Sequence, residues 1–168
     1  MQVLELRGNN LTGSIPNAVG TLSKLTTLNL SENALSGTIP ANILSNLKLA
    51  TSINLSKNEL SGAVPSPVTM TRLTELNLSG NNLSTATWAN WTAANFPALT
   101  TLNLSANSFS YNPIPAQLVT LTTTTVSTLN LSRNNFSGPF PSAWCTGNNR
   151  VLLNLDLSFN QISQVVRK

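Results

Sequence analysis

The chain has 168 residues, of which nine are Lys or Arg and five are Asp or Glu, giving a net charge of +4. It contains no histidine and one cysteine, Cys145, so imidazole chemistry and any intrachain disulfide are excluded. Charged residues are 8% of the chain against a usual quarter, which leaves solubility to Ser, Thr and Asn.

From the N-terminus the chain repeats one pattern, seen first as Leu4-x-Leu6-x-x-Asn9-x-Leu11-x-Gly13-x-Ile15-Pro16. Aligned on the asparagines Asn9, Asn33, Asn58, Asn81, Asn107, Asn134 and Asn160, seven repeats start at Met1, Leu25, Ala50, Leu73, Leu99, Val126 and Leu152. The asparagine spacings of 24, 25, 23, 26, 27 and 26 residues fall in the window of a leucine-rich-repeat solenoid. An unbroken period implies one array with one continuous core.

Each repeat opens on a predicted strand. Slots four and six hold Leu4 and Leu6, Leu28 and Leu30, Ile53 and Leu55, Leu76 and Leu78, Leu102 and Leu104, Leu129 and Leu131, Leu155 and Leu157. Alternation then puts slots three, five and seven on the wet face of a parallel sheet. In the middle five repeats those slots form a nearly uniform Thr/Ser-Asn-Ser grid, whose amides are expected to bond along the column. The slot-nine asparagines read as scaffold, each satisfying backbone groups of adjacent coils.

Slot eleven adds an apolar column of Leu11, Leu35, Leu60, Leu83, Phe109, Phe136 and Ile162, followed by glycine and proline at Gly13, Gly37, Gly62 and Gly138 and at Pro16, Pro40, Pro65, Pro115 and Pro141. A third column is expected at Val19, Ile43, Val68, Trp91, Leu118 and Trp144. Repeats four and five are irregular. Residues 84–91 replace the Gly-Ile-Pro element, Tyr111 takes the glycine slot, and the threonines of 120–125 read as a lengthened loop. Cys145, beside Trp144, reads as a buried, inert thiol. The last repeat stops at Lys168 before its Gly-Pro element and the first would expose its apolar end at Met1 and Leu4, so the chain reads as a piece of a longer array, or one meeting neighbouring chains end to end.

The stretches Leu28-Asn-Leu-Ser-Glu-Asn-Ala-Leu-Ser-Gly-Thr-Ile-Pro40 and Leu4-Glu-Leu-Arg-Gly-Asn-Asn-Leu-Thr-Gly-Ser-Ile-Pro16 resemble the plant-type repeat class found in ectodomains of receptor-like kinases, receptor-like proteins and polygalacturonase inhibitors. The resemblance covers nearly the whole chain. It implies an α/β-type right-handed solenoid, a leucine-rich-repeat superhelix with a parallel concave β-sheet and a mostly irregular or 3-10 convex side. It also implies an extracellular or cell-surface module that binds a protein, peptide or glycan.

Candidate binding residues on the wet face are Arg7, Glu32, Lys57, Glu75, Arg133, Asp156 and Phe159, while Trp88 and Tyr111 mark the irregular edge of repeats four and five. Such aromatic and arginine anchors dominate protein interfaces. Nine Asn-x-Ser/Thr sequons occur. Asn29, Asn54, Asn77, Asn103 and Asn130 stack at strand spacing, too close for neighbouring glycans, which favours Asn10, Asn82, Asn90 and Asn135. The cations are spread over several repeat slots without a phosphate-tracking stripe, so nucleic acid is not an expected partner. No run long and apolar enough for a membrane span appears. The five carboxylates do not pair, and no nucleophile, phosphate-loop or metal motif is present, so neither an enzyme nor a cofactor is expected. Two alternatives stay open: a structural spacer or assembly element of a cell surface or wall, and binding of ice or a crystalline glycan by the hydroxyl and amide grid.

Overall fold

The structure is a computed structural model, and it describes residues 1–145 and 151–164. Seven short strands, Val3–Glu5, Thr27–Asn29, Ser52–Asn54, Glu75–Asn77, Thr101–Asn103, Thr128–Asn130 and Asn154–Asp156, stand side by side in chain order as one parallel sheet. The register is strictly repeat on repeat: Leu28 pairs with Ile53, Leu76 with Leu102 and Leu102 with Leu129. Period-two alternation therefore sends the same leucine slots inward in every coil. In the five central coils slots four and six are at most 4% exposed, whereas Leu6 in the first coil is 36% exposed.

A hydroxyl row, silent in the hydrophobic pattern, stitches the entry edge of this sheet. Thr26 Oγ1 donates to the Gln2 carbonyl, Thr51 to Thr26, Thr74 to Thr51, Thr100 to Thr74 and Ser127 Oγ to Thr100, at 2.9–3.3 Å. Each backbone carbonyl at that edge thereby gains an acceptor role beyond the ladder.

After the asparagine turn the chain extends a second time. Thr12–Ser14, Ala34–Gly37, Glu59–Val64 and Asn82–Ala86 form a second parallel sheet on the flank, and Ser137–Pro139 pairs with Gln161–Gln164. The proline does not stop pairing until the strand has passed. Gly13, Gly37, Gly62 and Gly138 sit within these strands at φ between +75° and +83°, a conformation strongly disfavoured for residues with a Cβ.

The convex side is mixed. It holds 3-10 turns at Asn17–Thr21, Trp88–Asn90 and Ser142–Trp144, a single helical turn at Ile43–Asn46, and one real helix, Ala116–Thr124. That helix overturns the expectation of a loop over 120–125. Pro115 stands at its N-cap, Leu118 and Leu121 are buried at helical spacing, and threonine hydroxyls bond back to carbonyls one turn earlier, Thr120 to Ala116 at 3.0 Å. Burial of the leucine face outweighs the modest helix propensity of threonine.

The third core column holds at Ile43, Trp91 and Leu118, each fully buried, and fails at Val68, which is 50% exposed. Met70 and Pro67 are buried in that repeat instead. Pro65 and Pro67 bracket an extended segment with no helical turn, so the side chain that reaches the core falls two residues later. Cys145 is exposed, contrary to the buried thiol expected: Trp144 turns in to give its Nε1–H to Thr122 Oγ1 at 2.8 Å, and the next residue turns out.

Candidate recognition surface

The asparagine of slot nine closes each coil. Asn81 Nδ2 donates to the carbonyls of Leu55, Leu78 and Ser79 at 3.0–3.3 Å, and its Oδ1 accepts the Leu60 N–H at 3.0 Å. The same set recurs at Asn33, Asn58, Asn107, Asn134 and Asn160. Asn9, in the first coil, bonds only to Leu6 and Arg7 carbonyls. These side chains are internal fittings that set the turn from which the exposed residues project.

The concave strand ends at slot five, and the asparagine there makes a turn of its own. Asn29 Oδ1 accepts both the Ser31 N–H at 3.1 Å and the Ser31 hydroxyl at 2.7 Å. Asn54 with Ser56, Asn77 with Ser79 and Asn130 with Ser132 repeat both bonds, and Asn103 accepts from the Ser105 N–H. Two expectations change. In the five central coils the slot-seven serines turn away from the wet face: Ser31, Ser56 and Ser132 are 3–6% exposed and Ser79 and Ser105 half-buried, because the chain leaves the strand before reaching them. The amides do not bond along the column; each oxygen is committed within its own coil.

The next residue, slot eight, is left-handed in all seven coils. Gly8, Glu32, Lys57, Gly80, Ala106, Arg133 and Phe159 have φ between +51° and +68°, and from Gly8 to Arg133 each N–H donates to the slot-seven carbonyl of the following coil. The ladder thus holds a conformation that suits glycine and disfavours every other type here. The result is a ridge along the exit edge of the sheet, and it carries the sequence candidates Glu32, Lys57, Arg133 and Phe159.

At one end of the ridge Glu32 lies between two cations, with Arg7 at 3.2 Å and Lys57 at 2.8 Å. The Lys57 ammonium first, and the Arg7 guanidinium second, hold the Glu32 carboxyl below its ordinary range. At the other end the Arg133 guanidinium sits 4.3 Å over the Phe159 ring, a cation–π contact. Asp156 lies beside it, its carboxyl held down chiefly by the Ser158 N–H at 2.9 Å. Between the two clusters the ridge carries only Gly80 and Ala106. Glu75 stays on the sheet apart from both, accepting from Ser52 at 3.4 Å.

Trp88 and Tyr111 are not surface anchors. Trp88 is 7% exposed and packs on Trp91, Phe109 and Tyr111 with ring centroids 5.1, 5.9 and 5.6 Å away. Without the Gly-Ile-Pro element the fourth coil lacks its usual filler, and the indole supplies the volume. Tyr111 is half-buried, and its hydroxyl donates to the Ala86 carbonyl and accepts the Ala86 N–H. A side chain thereby replaces strand pairing where the flank sheet lapses in coil five.

Lys24 and Arg72 occupy the same repeat slot two coils apart, and Lys48, one slot earlier, donates its Nζ to the Val68 and Thr69 carbonyls. Arg150, Arg167 and Lys168 lie outside the described residues. The favoured sequon asparagines, Asn10, Asn82, Asn90 and Asn135, are all exposed. Among the described residues no group of His, Cys, Asp or Glu is arranged to hold a metal.

The Leucine Rich Repeat family model matches residues 1–22, 24–46, 72–91 and 125–146, and a second Leucine Rich repeat model matches 148–164. Receptor-like protein 32 of Arabidopsis thaliana is 38% identical over 141 residues, 83% of this chain and 15% of that protein. The plant peptide hormone receptor RGFR1, solved in complex with RGF2, superposes with a TM-score of 0.82 at 30% identity, over 96% of this chain and 25% of that one. A leucine-rich-repeat protein of Leptospira interrogans superposes with a TM-score of 0.78 at 30% identity, covering 99% of this chain and 39% of that one. The chain spans less than a fifth of the first curated relatives it matches. With repeats of the class found in plant receptor-like proteins, the chain belongs to the leucine-rich-repeat family.

Proposed function

We propose that this array is the recognition surface of an extracellular receptor-like protein, and that it binds an extended peptide along the concave sheet with the exit-edge ridge as its anchor. The observation that carries the reading is the ridge itself. Glu32, Lys57, Arg133 and Phe159 stand in left-handed conformations that glycine would fill with less strain, and residues held in such conformations cluster at binding sites. The two charged clusters lie three coils apart, about 14 Å at strand spacing, with only Gly80 and Ala106 between them. A peptide can therefore lie flat across the middle and meet a cation at either side. The solved complex of the peptide hormone receptor RGFR1 with RGF2 lends the same class of ligand.

The test uses peptides selected on the parent chain from a displayed library of random linear sequences, measured against two variants, Lys57→Gly and Arg133→Gly. Glycine suits both positions, so the melting temperature should stay within a few degrees of the parent, while affinity should fall by roughly tenfold or more. Unchanged affinity in both variants, or a library that yields no binding peptide, would overturn the proposal.

A further inference from the structure

The slot-five asparagines are oriented donors. A backbone N–H can only donate, so the oxygen of each amide must face its serine and the nitrogen must face away. Asn29, Asn54, Asn77, Asn103 and Asn130 thus project five amino groups onto the half-buried floor of the sheet. Among the described residues none of the five Nδ2 atoms has a protein partner. The column is uncharged, offers donors alone, and repeats at about 4.8 Å.

We propose that this column reads main-chain carbonyls of a peptide lying across the strands in the polyproline II conformation; the inference rests on the peptide recognition proposed above. The argument is one of register. A β-strand presents like-facing carbonyls at about 6.7 Å, out of step with the coils. An α-helix has already used its carbonyls internally. A polyproline II chain has three residues per turn and rises about 3.1 Å per residue, so a carbonyl faces the column every 9.3 Å or so, with no internal bond to compete. Two strand spacings come to about 9.6 Å. Alternate asparagines, Asn29, Asn77 and Asn130 in one phase or Asn54 and Asn103 in the other, then meet successive turns of the ligand. Slot three, one residue pair nearer the entry edge, adds hydroxyls at Thr27, Thr101 and Thr128, while Ser52 gives its hydroxyl to the Glu75 carboxylate of the same slot.

The seventh coil supplies the design of the test. Asp156 occupies the same slot, and its Oδ1 accepts the Ser158 N–H at 2.9 Å, so a carboxylate keeps the turn while turning a donor into an acceptor. Asn77→Asp with Asn103→Asp touches one residue of each phase and leaves the coil closed. Linear peptides selected on the parent chain are measured by calorimetry against parent and double variant, with circular dichroism of both proteins as the fold check. The expected result is parent-like dichroism, affinity weaker by roughly tenfold or more, and a polyproline II signature in the free selected peptides. Selected peptides that bind the double variant as well as the parent sink this inference and leave the peptide reading standing. A library that yields no binder removes both. Asparagine-dependent binding of cellohexaose by a chain that selects no peptide would reassign the donor column to a neutral glycan.

Discussion

Replacing Asn81 by alanine isolates the interaction that closes a coil. The side chain makes four hydrogen bonds, and two of them reach across coils, to the Leu55 carbonyl and from the Leu60 N–H, both at 3.0 Å. The Leu55 carbonyl keeps a second donor in Asn58 Nδ2 at 3.2 Å, whereas the Leu60 N–H, on a residue with 0% exposure, is left where water cannot easily replace its partner. One buried backbone group left unsatisfied costs about 1–3 kcal/mol. For a chain of this size that corresponds to a fall in Tm of roughly 3–10 °C. Equilibrium urea unfolding followed by circular dichroism measures it. Asn9→Ala is the internal control, because Asn9 bonds only to carbonyls of its own exposed coil, and its loss should stay below about 1 kcal/mol. Equal effects at the two positions, or a loss at Asn81 under about 1 kcal/mol, would show that the amides are not what joins the coils.

Trp88→Ala should cost about 3–5 kcal/mol through the cavity left among Trp91, Phe109 and Tyr111, and Tyr111→Phe about 1 kcal/mol through the lost tie to Ala86; thermal melts report both. The Glu32 carboxyl has a folded-state pKa below its ordinary 4.5, so the support it gives is present above that value and is lost as pH falls through the depressed one. The difference in Tm between the parent and Glu32→Gln should accordingly be present at neutral pH and vanish once the pH has fallen through that depressed value, and a gap that persists in strong acid would contradict the pairing. Cys145 should react stoichiometrically with a disulfide reagent in the native protein; protection until denaturant is added would place it inside. Expressed through a secretory pathway, the chain should carry glycans at Asn10, Asn82, Asn90 and Asn135, where glycopeptide mass spectrometry should find the column from Asn29 to Asn130 bare.

The leucine and asparagine slots are legible in the sequence because they repeat in phase, and repetition averages away the irregularities of any one coil. What is hidden is whatever departs from the average. Alternation read straight through slot seven puts Ser31 outside, yet the Asn29 turn ends the strand two residues earlier and carries the serine in. The flank sheet escapes notice because stretches such as Thr12-Gly13-Ser14 have neither β-branched richness nor alternation. Val68 and Trp88 mislead for one reason: where a coil loses its helical turn or its Gly-Ile-Pro element, the residue that fills the core is decided by the space to be filled. Of the candidate site, the charged and aromatic residues are visible in the sequence. Their shared left-handed backbone is visible only in the fold.

The lapse of the flank sheet at coil five has a mechanical meaning. Coils one to four are fastened to each other along two parallel seams, and such a stack resists torsion as a welded box section does. Between Asn82–Ala86 and Ser137–Pro139, where strand pairing resumes with Gln161–Gln164, the flank seam is replaced by the Tyr111 hydroxyl and a few single bonds, which should make this the softest joint of the array. Torque applied at either end should concentrate there, fanning or closing the amide rows on the inner face.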